Sequence, residues 1–89
     1  MIYREYIEPV NDGHEVRVAA SARAELEANW FAARGGCLDI ESIFDGTFEA
    51  RAWRGGRAIV SCRLPSLAKA QAALAGVVEL AVKLTREQL

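Results

Sequence analysis

The 89-residue chain is short of the residues that staple or metallate small domains: it has two cysteines, Cys37 and Cys62, two prolines and one histidine, His14. Two cysteines are too few for the disulfide framework of a small secreted domain, and neither has a partner at zinc-binding spacing. The expectation is a reduced, cytoplasmic chain that holds no metal and no cofactor. No signal peptide is expected, because Tyr3, Arg4 and Glu5 stand near Met1 where an apolar stretch would lie. Long apolar runs are missing too: the alanine-rich run at residues 72–78 ends at Glu79, well short of the ~20 residues that cross a bilayer. With 52% hydrophobic and 26% charged residues the chain is not compositionally disordered, and its length leaves room for one core, so residues 1–89 read as a single domain.

Catalytic groupings are also lacking. His14 stands in a turn-forming stretch with no serine or cysteine motif beside it. Cys62 falls on the expected core face, and Cys37 has no base in sequence to activate it. Gly35-Gly36 and Gly55-Gly56 lack the longer spacing and the lysine with serine or threonine of a phosphate loop. Pairs such as Asp39 with Glu41 and Glu25 with Glu27 are ordinary for a solvated face. The chain is therefore expected not to be an enzyme.

What it does have is charge, unevenly placed. Residues 1–49 carry ten carboxylates against four arginines, a net of −6, while residues 50–89 carry seven cations against Glu79 and Glu87, a net of +5. Such a split makes a basic surface, a head-to-tail partner, or two halves that neutralise each other within one fold. Sixteen alanines, and nine arginines to two lysines, fit a GC-rich bacterial or phage origin.

The order of elements follows from periodicity and punctuation. Residues 2–8 alternate as a strand before Pro9, and Asn11, Asp12 and Gly13 form a turn. Residues 14–20 fit two readings, a second strand through Val16 and Val18 or a helix started by the Asp12/Glu15 capping-box spacing. From Ser21 a helix is expected with Ala22, Leu26, Trp30 and Ala33 as its apolar stripe, stopped by Gly35 and Gly36. Three alternating segments come next, residues 37–44, 47–53 and 57–63, parted by Asp45-Gly46 and Arg54-Gly55-Gly56. They read as an antiparallel meander with three-residue loops.

That register collects Leu38, Ile40, Phe44, Phe48, Ala50, Ala52, Ala58, Val60 and Cys62 on the core face. It leaves Asp39, Glu41, Ile43, Glu49, Arg51, Trp53, Arg57, Ile59 and Arg63 on the other, with Glu41 opposite Arg51 and Arg51 opposite Ile59. Pro65 and Ser66 then introduce a last helix whose stripe is Leu67, Ala70, Leu74, Val77, Ala81 and Leu84. Its other side is also apolar. Either the first helix covers that side, or a second copy packs on Ala72, Ala75, Val78 and Val82, a candidate homodimer interface. The fold class is α+β: a three-stranded meander covered on one face by two helices, order β-(β)-α-β-β-β-α, with the N-terminal strand or hairpin as an extension.

Two resemblances bear on function. The α-β-β-β-α order over about residues 21–84 resembles the double-stranded RNA-binding domain, although that family's lysine cluster at the start of the last helix is represented here by Lys69 alone. Gly46-Thr47-Phe48-Glu49-Ala50-Arg51-Ala52-Trp53, continued through the last helix, looks like the strands and helix of AP2-like, integrase arm-type DNA-binding domains. That resemblance implies Arg51, Trp53, Arg57 and Arg63 as base readers and phosphate contacts. Asp39, Glu41 and Glu49 on the same face would repel a phosphate backbone, and a pI of 5.8 is low for such a role. The expected function is therefore a small non-enzymatic interaction or regulatory protein, with a protein partner held by Arg51, Trp53, Arg57, Ile59 and Arg63; a nucleic-acid partner is the alternative, and no membrane partner is expected.

Overall fold

A computed structural model describes residues 22–89. The strand and turn readings for residues 2–20, and His14 with them, lie outside the described residues. The order is α1 (Ala22–Ala32), β1 (Gly36–Ser42), β2 (Phe48–Arg54), β3 (Arg57–Leu64) and α2 (Leu67–Gln88). The three strands form one antiparallel sheet in the order β1-β2-β3. Both helices pack on one side of it and against each other, so the α+β expectation holds over this region.

Local chemistry explains each boundary. Ser66 caps α2, its hydroxyl accepting from the Lys69 N–H at 3.2 Å, and Pro65 before it cannot extend a helix backwards into β3. α1 gives way at Gly35, whose φ of +85° lies where a side chain would be strained. Gly36 is needed for a different reason: a Cβ there would stand 2.5 Å from the Phe31 ring, so the aromatic that anchors α1 lies flat on bare backbone. Phe31 is fully buried, a contribution of up to ~3 kcal/mol.

The buried face of α1 is Ala24, Ala28 and Phe31, not the expected Ala22, Leu26, Trp30 and Ala33; Leu26 is 68% exposed and Trp30 half-buried. An alanine-rich helix carries two overlapping apolar stripes, and the one that lets α1 approach closely through Ala24 and Ala28 prevails. In α2 the expected stripe is buried at Ala70, Leu74, Val77 and Ala81. Val78 and Val82 are buried as well and Ala75 packs partly on the core, while Ala72 is exposed. With α1 packed on α2, the candidate dimer surface through Val78 and Val82 is consumed inside the chain.

The strands fall where expected, but the register differs. Ile43 N–H donates to the Thr47 carbonyl and Gly46 N–H to the Ile43 carbonyl, centring the first loop on Phe44-Asp45-Gly46. Arg51 consequently lies opposite Asp39 rather than Glu41, a slip of two residues that keeps the face of each residue still paired between β1 and β2. Phe44 is thereby left fully exposed at the hairpin tip instead of in the core. The second loop has two residues, Gly55 and Gly56, with φ of +63° and +76°, the pair of positive values a tight hairpin turn demands.

A bulge between Ala52 and Trp53 in the pairing with β3 then brings Val60, Cys62 and Leu64 opposite Ala52, Ala50 and Phe48. Arg51 therefore faces Ser61, not Ile59, and Ala58 stands across from Trp53 and is exposed instead of belonging to the core. Ile59 turns inward and packs against the core. Cys62, expected in the core, is exposed on the edge strand.

Candidate functional site

The sheet face turned away from the helices is organised around one ion pair. Arg51 sits at the centre of the middle strand, and its Nε and Nη2 donate to Asp39 Oδ1 and Oδ2 at 2.9 and 2.6 Å, a fork-to-fork pair. The remaining Nη1 lies 2.6 Å from Glu41 and 3.5 Å from Glu49. The Trp53 indole N–H donates to Asp39 Oδ1 at 3.1 Å, and the Arg51 guanidinium stands 4.9 Å from the centre of the Trp53 ring. Each group holds the next: Asp39 orients both the arginine and the indole, and the carboxylates of neighbouring rungs close the cage.

The consequences are electrostatic. The Arg51 side chain is only 14% exposed, and Asp39 is buried. The Asp39 hydrogen bond, ahead of the opposing effect of burial, raises the guanidinium pKa above its ordinary value, with the Asp39 and Glu41 charges acting in the same direction. Three acids around one arginine leave the centre of this face with surplus negative charge. Arg63, half-exposed at 54%, pairs with Asp45 at 3.7 Å and is the only other cation placed on this face among the described residues.

Beside Trp53 lies a mainly apolar hollow of about 320 Å³, lined by Cys37, Asp39, Trp53, Arg54 and the glycines of both neighbouring loops. It places one wall of the indole against open space. Glycines at residues 35, 55 and 56 keep the rim low, since no side chain stands there.

Of the five expected contact residues, the structure brings Arg51 and Trp53 together and sets Arg63 at the margin. Arg57 and Ile59 leave the group. The bulge turns them to the helical side, where they line a second cleft with Arg34, Arg54 and Gln88. The sequence pattern makes Asp39, the hub, look like any acid of a solvated face. The signal that could have found it is its position between Leu38 and Ile40: aspartate is disfavoured in a strand unless something satisfies it. No pattern in the sequence singles out Arg34, Arg54 or Arg86. Among the described residues no group of three or more His, Cys, Asp or Glu is arranged to hold a metal ion, and no helix is long and apolar enough to cross a membrane. Compared with protein-family models, curated proteins and solved structures, the chain matches none of them.

Proposed function

We propose that this chain is a small, non-enzymatic interaction or regulatory module that binds another protein through the sheet face around Trp53. The observation that carries this reading is the cage around Arg51. A phosphate reaching that guanidinium would have to displace Asp39, Glu41 and Glu49, so the reading of Arg51 as a phosphate or base contact loses its support. A protein partner asks for something else: a rigid aromatic anchor at low entropic cost, flanked by an apolar hollow and a satisfied polar rim. Trp53 is fixed by its bond to Asp39 and opens onto the hollow. Arg51 contributes as the strut that holds the indole in place, and Arg63 as a rim charge.

The test compares wild-type protein with Trp53→Ala, after circular dichroism has shown that the variant folds. Both are used to capture partners from a bacterial lysate at physiological and at high salt. A partner retained at high salt and lost with Trp53→Ala is the expected outcome. Binding of a short duplex that dissolves as salt rises and is indifferent to Trp53→Ala would instead establish the nucleic-acid alternative.

A further inference from the structure

The helical side of the β2–β3 turn presents arginine in the opposite setting. Arg34, Arg54 and Arg57 line one cleft of about 520 Å³ together with Ile59 and Gln88. A fourth, Arg86, stands close by, sharing the Trp30 ring with Arg34 at 4.8 and 3.9 Å from its centre. Among the described residues no carboxylate lies within ion-pairing distance of any of these four. Acids are not scarce nearby in the sheet, since three surround Arg51 alone.

Two of the three cleft guanidinium groups, those of Arg34 and Arg54, are also held in place. Arg34 stacks on Trp30 and donates from Nη1 to the Trp30 carbonyl at 3.0 Å. Arg54 donates from Nε to the Arg34 carbonyl at 3.0 Å and from Nη1 to Gln88 Oε1 at 3.3 Å. These bonds have a second effect. The carbonyls at the C-terminal end of α1 would repel an anion, and those of Trp30 and Arg34 are already engaged by arginine. Gly35 and Gly55 leave the approach open.

We infer that this cleft is a binding site for the phosphate group of a small molecule. Guanidinium groups gathered with no counter-charge from the described residues repel one another, and an anion relieves that repulsion. Unspent donors from three arginines around one cleft suit the several oxygens of a phosphate better than the two of a carboxylate, which one arginine satisfies. The volume lies within the ~300–1,000 Å³ of small-molecule sites. The cleft shares Arg54, Gly35 and Gly55 with the hollow beside Trp53, but neither Trp53 nor Asp39 lines it, and the inference does not depend on how the Trp53 face is used.

The experiment titrates inorganic phosphate, then pyrophosphate, into the ¹⁵N-labelled 89-residue chain at constant ionic strength. It tracks the arginine Nε–H signals and the Gly35 and Gly55 amides. Saturable shifts confined to Arg34, Arg54, Arg57 and the two glycines are expected, with pyrophosphate the tighter ligand. Arg57→Gln should weaken pyrophosphate about tenfold without changing the melting temperature, because its side chain is exposed and makes no bond to the described residues. Arg54→Gln should weaken it further. Absence of saturation, or equal shifts at Arg63 and Lys69, would overturn the site. A short duplex binding the same arginines more tightly than pyrophosphate would overturn the small-molecule assignment. A glutamate-rich peptide that displaces pyrophosphate at lower concentration would overturn phosphate as the chemistry. Trp53→Ala should leave the titration unchanged, which separates this site from the protein-binding face.

Discussion

Arginine occurs in two settings a few residues apart, and the contrast between them tells more than either alone. On the outer face of the sheet, Arg51 is enclosed by Asp39, Glu41 and Glu49 and braces an indole. On the helical side, Arg34, Arg54, Arg57 and Arg86 gather around tryptophan, backbone carbonyls and a glutamine, with no acid of the described residues paired to them. The first arrangement is complete in itself and makes a rigid platform. The second is oriented but electrically unfinished. The same residue type therefore serves as structure in one place and as an open valence in the other, and what differs is the company each keeps.

Breaking the complete arrangement should have the largest effect. Asp39→Asn keeps the size of the side chain but removes the charge that holds both Arg51 and Trp53, and should lower stability by ~2–3 kcal/mol in urea denaturation. A loss below ~0.5 kcal/mol would mean that Glu41 and Glu49 suffice and that the hub is elsewhere. Trp53→Phe keeps a ring but deletes the donor to Asp39, and a smaller loss of ~1 kcal/mol is expected by the same measurement.

Asp45 offers a milder probe of charge on the exposed rim. Thr47 donates to its carboxylate from both hydroxyl and amide, at 2.6 and 3.0 Å, and these bonds hold its pKa below the ordinary value. A depressed folded-state pKa gives stability that is present above the unfolded value and lost as pH falls through the folded one. The Thr47 amide shift should therefore titrate at a lower pH than that of an unperturbed aspartate. Arg57→Gln, at the unfinished arrangement, should change stability by less than ~0.5 kcal/mol, because no described residue pairs with that charge. A marked gain on removing it would show that repulsion in the cleft is more severe than the fold tolerates easily.

Much of this architecture is legible in the sequence. Paired glycines, Pro65-Ser66 and the alternation of the strands determine the element order and nearly every boundary from Ala22 onward. Alternation reports only parity, however, so a loop centred one residue earlier slides Arg51 from Glu41 to Asp39 without violating any pattern. The bulge is hidden because Ile59 and Val60 are both apolar, and either could be the inward residue. The true face of α1 is hidden for a like reason, alanine being acceptable on every side of a helix. The arginine cleft draws on Arg34, Arg54, Arg57 and Gln88, which are brought together only when the ends of both helices meet the β2–β3 turn.

The bulge also sorts charge between the two sides of the sheet. It shifts the reading frame of β3 by one residue, so that Arg57 pairs with Arg54 and leaves the side that Trp53 occupies. Strict pairing at the same chain length, closed by a three-residue loop over residues 54–56, would instead set Arg57 opposite Trp53. That register would empty the cleft of one cation and hand it to the acid-rich face, merging two chemistries that the irregular strand now keeps apart.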